Sequence, residues 1–475
     1  MKALGVGVIY WPELNSIVED ADLVNVLEIE PQAFWKKLKK DSTFSYEPNS
    51  GLLSTLSKLP QDKLIHSVGN PIGGTCEDEL DYLTPLRRTI ELIDPKWVSE
   101  HLSFNRHLIE GACVETGFLL PPLQTEATIE LAIRNLRKLS SATKKPIAFE
   151  TGVNYLKPHK LELSDGEFFA RVASGADCGI VLDLHNLWCN ELNGRQSIEA
   201  ALNEIPLERV WEVHLAGGMK LNDFWLDSHD SLAPAKLMEL TKAVIPSLTN
   251  IQSIIFEILP EHIQKVGLTA IRKQLEELHN LWSYRKTTNT LAIKHIVTSY
   301  PKETSTDEAK ASTWESTLLS KINHYPPIDN HDLPNHLEDP GLSVYRHLIS
   351  ETRYSNIARA LRYSTLLLLL TLGKTATRTL FNEFCLKWPP DSFSVIEADT
   401  FAKFILTRPE IINAVPYLNE TLRFEHALIR ASAYYESTEI HWTFDPTELF
   451  ESIERGEIPE CMKKFSCSMQ IIRQS

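Results

Sequence analysis

The stretch LDSHDS, Leu226 to Ser231, sets an Asp and a His two positions apart soon after the aliphatic run RVWEVHLA. In an extended segment Asp227 and His229 present their side chains on one face, so both can reach a single cation. More nitrogen and oxygen donors stand near the ends of other aliphatic runs: His66 in KLIHSVG, His101 in KWVSEHL, Glu150 in PIAFET, Asp183 and Asn186 in GIVLDLHN, His214 in RVWEVHLA and Glu257 in SIIFEIL. Singly, each has an ordinary role. Asp183 and Asn186 make a turn and a helix cap, Asp227 and Asp230 cap the following segment, and Glu257 pairs with an arginine. As a set they are harder to accommodate, because clustered buried carboxylates are strongly unfavourable unless cations lie between them. Imidazoles among the carboxylates favour transition-metal ions over calcium or magnesium. Nine candidate ligands exceed what one ion takes, so a cluster of two or three ions is expected. No cysteine belongs to the set, which disfavours a thiolate zinc site. Iron, manganese and zinc all suit such donors.

The elements that carry these residues recur. Eight short runs rich in β-branched and aliphatic residues occupy 3–10, 24–30, 63–69, 96–102, 146–151, 179–186, 209–216 and 253–259. Each is followed by a longer helical or mixed segment. SDGE at Ser164 to Glu167 has capping-box spacing before FFARVA, and TEATIELAIRNLRKL from Thr125 has helical periodicity. Strand and helix in alternation mean a mostly parallel sheet. Eight repeats over this length predict an α/β fold, a TIM (β/α)8 barrel, whose chemistry gathers at the C-terminal ends of the strands. An open doubly wound sheet is the alternative, but no Gly-rich dinucleotide turn follows the first run.

At 475 residues the chain has room for two or three domains. A formal net charge of -15 argues against nucleic acid as a main partner. The N-terminus lacks the long apolar core of a signal peptide. The greasiest stretch, STLLLLLTL at Ser364 to Leu372, is far short of the ~20 residues of a membrane span and is expected to be a buried helix. Seven scattered cysteines without a C-x-x-C argue for a reducing cytoplasm and no disulfide framework.

The motifs IHSVG, VSEHLSF, FETGVNYL, LDLHNLW, VHLAGG, LDSHD and the FE of SIIFEIL stand in an order that resembles the multinuclear non-heme iron-dependent oxidases, the methanobactin-biosynthesis-oxidase-like family. The resemblance covers about the first 280 residues. It implies a TIM barrel holding two or three iron ions, mixed Fe(II)/Fe(III), with molecular oxygen as cosubstrate. It also implies oxidative modification of a residue, cysteine foremost, in a ribosomally made precursor peptide. The family's ligand pattern falls on His66, His101, Glu150, Asp183, Asn186, His214, Asp227, His229 and Glu257. The carboxylate at Glu150 would bridge irons, and Glu150, Asp183 and His229 would stand closest to the chemistry. The chain departs from the pattern at EPQA (Glu30 to Ala33), at ETG (Glu150 to Gly152), and at Gly218, where many relatives have His. These departures leave the ligand positions intact and bear on substrate choice and on tuning of the ligands. Two other classes fit the donors alone: a divalent-metal barrel isomerase or hydrolase, and a non-catalytic peptide- or metal-binding protein.

Residues 1–284 are therefore expected as the barrel and 285–335 as a linker region, polar and proline-rich around a short element. His324 and His331 in HYPPIDNHDLPN read as loop residues. Residues 336–475 are mostly helical in pattern, with a strand at TEIHWTF (Thr438 to Phe444). NIARAL, LFNEF and LRFEHALIRA resemble the small partner protein that accompanies these oxidases. The resemblance implies a fused domain that recognises the leader of a Cys-containing precursor peptide, with strand addition as its physical form. Fusion would raise the local concentration of the peptide. Cys461 and Cys467 are expected to be incidental.

Overall fold

Strands buried on both faces carry continuous apolar sequence, and the eight aliphatic runs behave accordingly. In the computed structural model, which describes residues 3–40, 43–76, 81–109, 111–160, 162–286, 306–323, 339–434 and 436–472, they form eight strands. These are β1 (Gly5–Ile9), β2 (Val26–Ile29), β3 (Asp62–Ser67), β4 (Val98–His101), β5 (Ile147–Glu150), β6 (Gly179–Asp183), β7 (Val210–Ala216) and β8 (Ser253–Glu257). Each pairs in parallel with its neighbours in sequence, and β8 pairs with β1 to close a TIM barrel. The register sets site residues side by side: His101 is level with Glu150, Asp183 with His214, and Ala216 with Glu257.

Helices follow where the sequence signals them. Ser164 caps the helix Asp165–Ala176 by accepting from the Glu167 amide, and Glu126–Thr143 follows Thr125. Three hairpins interrupt the strand–helix alternation: Trp35–Lys40 with Thr43–Pro48, Phe104–Ile109 with Ala112–Leu120, and Met219–Leu221 with Phe224–Leu226. Inside the segment expected as linker, Thr306–Asn323 is a helix. Its Glu315 is buried, accepts from the Thr75 amide at 2.7 Å and faces His107 Nδ1 at 2.9 Å. Trp314 donates to the Pro121 carbonyl at 3.1 Å. The remainder of that expected linker, with His324 and His331, lies outside the described residues apart from 285–286.

The chain divides into two compact units. The first holds Met1–Trp35, Pro48–Gly111 and Leu119–Tyr345, and contains the barrel. The second holds Arg346–Ser475 together with Lys36–Glu47 and Ala112–Phe118. It is mostly helical around one apolar core that includes Phe384, Phe401, Leu422 and Trp442. The expected strand forms as β9 (Thr438–Phe444) and pairs antiparallel with β10 (Lys464–Ile471). STLLLLLTL lies in the helix Arg362–Lys387, but only part of it is core: Leu367 and Leu368 are buried, whereas Leu369 and Leu370 are exposed. A run of leucines longer than the apolar stripe of a helix must turn some of them outward. Among the described residues no helix is long and apolar enough to cross a membrane.

Candidate metal centre

The strand ends deliver the donors to one rim. His66, His101, Glu150, Asp183, His214 and Glu257 come from β3 to β8 in turn, at or near their C-terminal ends. Asn186 sits in the first turn of the helix Leu184–Leu192, which Asp183 caps: Asp183 Oδ1 accepts from the Asn186 amide at 2.7 Å. Asp227 and His229 arrive on the loop after the third hairpin. They meet, but not by the extended geometry expected of their spacing, because His229 has φ +47. That left-handed turn costs a non-glycine residue on the order of 1 kcal/mol. It brings His229 Nε2 to 2.8 Å from Asp227 Oδ1 and 3.4 Å from Glu257 Oε2. The amide of Leu259 holds the His229 carbonyl at 3.0 Å, and the Tyr155 hydroxyl accepts from the Asp227 amide at 3.0 Å.

Glu150 stands at the centre. Its Oε2 is 2.6 Å from His101 Nδ1 and 3.4 Å from His66 Nε2, while its Oε1 is 3.4 Å from His214 Nδ1. His214 Nδ1 is also 3.0 Å from Glu257 Oε1. Donor atoms of His66, Glu150, His214 and Glu257 all lie within 4.8 Å of one another, as do those of Asp183, His229 and Glu257. Close approach is not matched by hydrogen-bond alignment. Glu150 Oε2, Asp183 Oδ2, Asn186 Oδ1, both His214 nitrogens, His229 Nε2 and Glu257 Oε2 are buried and lack an aligned partner. Buried polar atoms are nearly always paired. Atoms that crowd together without pointing at one another converge on shared points between them, as ligands do around cations. The donor set therefore fits metal ions.

The electrostatics agree. Burial, then the charges of Glu150, Asp227 and Glu257, push Asp183 well above the usual carboxylate range. Burial opposes charge on the imidazoles, but acids overcome it. Glu28 and Glu150 raise His66 to about 9, and Asp227 and Glu257 raise His229 to about 10. His214 is raised by Glu257 and Glu28 in the same way. Burial works against ionised Asp227 and Glu257, yet neighbouring histidines hold both below their ordinary values. The acids thus favour positive charge at the imidazole positions, which protons or metal ions can supply.

Supporting residues fix the ligands. Ser99 Oγ donates to the Ile65 carbonyl at 3.2 Å, so its contact with His66 Nδ1 at 2.8 Å is accepted from that nitrogen. Once the imidazole is neutral, this leaves the Nε2 lone pair for the cluster. His185, fully buried, holds Asp227 Oδ1 at 2.8 Å through Nδ1. Its ring also accounts for the departure at Gly218, where a Cβ would lie 2.0 Å from the Leu226 carbonyl and 2.9 Å from the His185 ring. Gln32, within EPQA, donates to Ser67 at 3.0 Å and so braces the loop after His66. Sequence reasoning passed over His185, Glu28 and Glu212. The last two are fully buried acids inside the otherwise apolar strands β2 and β7. An ionisable residue at such a position was itself a signal.

Comparison with known proteins follows the same lines. A UPF0276 protein of Anaeromyxobacter sp. (strain Fw109-5) is 28% identical over 231 residues, spanning 48% of this chain and 80% of that protein. A UPF0276 protein of Paraburkholderia phytofirmans is 34% identical over 171 residues, 35% of this chain and 54% of its own length. Among solved structures, D-psicose 3-epimerase in the presence of D-fructose gives a TM-score of 0.36 at 11% identity, covering 60% of this chain and 98% of that one. The IOLI protein with a zinc atom gives 0.41 at 13%, covering 61% and 100%. Neither bears on substrate or metal. The profile that matches residues 6–267 describes the RiPP precursor modification enzymes MbnB/TglH/ChrH. That match spans more than half of the chain, and the chain belongs to this family.

Proposed function

We propose that the protein is an iron- and oxygen-dependent oxidase that modifies a cysteine in a ribosomally synthesised precursor peptide. The observation that carries this reading is the convergence of nine candidate donor residues, six of them with buried atoms lacking an aligned partner, at the rim of a barrel that belongs to a precursor-modifying family. His66, His101 and Glu150 Oε2 would hold one ion. Glu150 Oε1, His214 Nδ1 and Glu257 Oε1 would hold a second, so that Glu150 bridges the two. Asp227, His229, Asp183 and Glu257 Oε2, with Asn186 beside them, would hold a third. Two or three iron ions, in mixed Fe(II)/Fe(III) states, would supply one-electron chemistry with molecular oxygen as cosubstrate and a cation to bind the substrate thiolate.

The protein's own residues do the rest. His66, His214, Glu150 and Glu257 are sealed from solvent, whereas His101, His229 and Asp227 retain 14–21% side-chain exposure. A peptide entering the rim therefore meets His101, His229 and Asp227 first. Catalytic roles fall to His229 at that opening and to Glu150 and Asp183 among the buried donors behind it. Trp188 and Trp225 pack edge to face on one another, and Trp225 Nε1 donates to Nε2 of His185, the imidazole that holds Asp227. We assign the C-terminal unit to recognition of the precursor peptide's leader. Its sheet of β9 and β10 supports this, because among the described residues each of these strands pairs with a strand on one side only, and the other edge is the one that strand addition uses. Its exposed Phe465 and Met469 offer apolar contacts. No disulfide joins cysteines among the described residues, and a reducing cytoplasm is the setting we assign.

The test is co-expression with a Cys-containing precursor peptide, followed by anaerobic reconstitution with ferrous iron and exposure to oxygen. Mass spectrometry of the peptide is expected to show a change localised to cysteine that needs both iron and oxygen. Turnover without oxygen on zinc, manganese or cobalt would point instead to an isomerase or hydrolase. Tight peptide binding without any mass change would point to a binding module.

A further inference from the structure

A neutral imidazole has one nitrogen that donates and one that offers a lone pair. His214 is fully buried in mid-barrel and faces carboxylates on both sides. On one side Nδ1 meets Glu257 Oε1 at 3.0 Å and Glu150 Oε1 at 3.4 Å, both in the ligand cluster. On the other side Nε2 meets Glu28 Oε2 at 3.1 Å and Glu212 Oε1 at 4.0 Å. The two outer acids are not equivalent. Glu212 is already engaged: Ser253 Oγ donates to its Oε1 at 3.0 Å and Trp97 Nε1 to its Oε2 at 3.2 Å. Glu28 is fully buried, and neither of its oxygens has an aligned hydrogen-bond donor. Its contact to Nε2 lies within hydrogen-bonding distance but is off-axis.

We infer that Glu28 is a positioning residue, which accepts the Nε2 proton of His214 and thereby commits the Nδ1 lone pair to the metal ions. The inference rests on the metal reading given above. A carboxylate behind a ligating imidazole fixes its tautomer and its orientation and makes it a stronger donor. Ser99 does the same for His66, with a neutral acceptor in place of a charged one. The rival arrangement is a separate cation held by Glu28, Glu212 and His214 Nε2, whose donor atoms lie within 4.8 Å of one another. It would require metal on both nitrogens of one imidazole and would compete with Ser253 and Trp97 for Glu212.

Zinc and cobalt(II) titrations of the full chain, read by metal analysis and cobalt absorption, test the inference. In Glu28→Gln the number of ions bound at saturation is expected to match the wild type. The affinity of one of them is expected to fall about 10–100-fold, with a changed cobalt spectrum and an unchanged melting temperature of the metal-free protein. Glu212→Gln removes a neighbouring buried acid without removing the acceptor, and its isotherm is expected to stay close to the wild type. Loss of a whole ion in Glu28→Gln would make Glu28 a ligand and overturn the inference, as would equal effects of the two substitutions or no effect of either. If Glu28→Gln does not fold, NMR of isotope-labelled histidine in the zinc-loaded wild type decides: a proton on Nε2 of His214 supports the inference and one on Nδ1 overturns it. A wild type that takes up no metal overturns this inference and the metal reading together. Uptake by the wild type with an unaltered Glu28→Gln overturns this inference alone.

Discussion

Asp183 divides its two oxygens between two tasks: Oδ1 caps a helix, and Oδ2 is left buried and unaligned towards the cluster. The cap read from the sequence is therefore present, and the second oxygen is left for the ligand role proposed for it. Glu150 shows the same economy, with one oxygen towards His66 and His101 and the other towards His214. If it bridges two ions, Glu150→Gln loses more metal per chain than His101→Ala, and metal analysis of the two variants checks this. His229→Ala is expected to lower iron content and to abolish the oxygen-dependent mass change in the peptide; full activity in that variant would contradict its assignment. His66 and His229 keep their protons up to about 9 and about 10, so metal must displace protons at neutral pH. Raised values mean that the competing protonated forms vanish only as the solution becomes alkaline. Affinity is therefore expected to rise between pH 6 and 8. Calorimetry in buffers of different ionisation heat should register proton release on metal binding. Seven of the nine candidate donors stand out in the sequence because they interrupt or end an aliphatic run, and Asp227 and His229 because they lie two apart in one polar loop. Glu28, Glu212 and His185 were not singled out, because only three-dimensional neighbours reveal what a buried acid or imidazole faces.

At the scale of elements, the barrel strands could be read to within about three residues at each end, since burial on both faces leaves little choice of composition. Loop geometry was less accessible. Nothing in LDSHDS announces the left-handed conformation of His229, which depends on the hairpin before it and on the anchors to Tyr155 and Leu259. Gly218 belongs to the same loop system. Gly218→Ala drives a methyl group into the Leu226 carbonyl and the His185 ring. It is expected to cost about 1–3 kcal/mol and to lower metal occupancy at Asp227 and His229. Thermal melting and metal content measure the two effects, and a variant unchanged in both would contradict this view of the loop.

At the scale of the whole molecule, the second unit is built from three separate stretches of chain. WKKLKK forms a strand, but its sequence does not say which core that strand joins. Within this unit Lys37 is buried, pairs with Asp391 at 2.5 Å and lies over the rings of Phe44, Tyr46 and Phe393. Burial, with Glu115 nearby, pushes Asp391 up to about 7 despite the lysine. Lys37→Ala leaves that acid without its cation and is expected to destabilise the unit by about 3 kcal/mol. Denaturant unfolding followed in the full chain checks the value, and a variant as stable as the wild type would contradict the pairing. The helix Thr306–Asn323 teaches the same lesson for the first unit. Its polar flanks read as linker, while Glu315 and Trp314 tie it to Thr75, His107 and Pro121.

The central claim is that the rim donors are held together by several metal ions. Anomalous diffraction at the iron edge, from crystals of protein reconstituted anaerobically with ferrous iron, tests it most directly. The expected result is at least two peaks, with Glu150 bridging a pair between His66 and His101 on one side and His214 on the other. Crystals with no peak there, and the histidines and carboxylates hydrogen-bonded to one another instead, would contradict it.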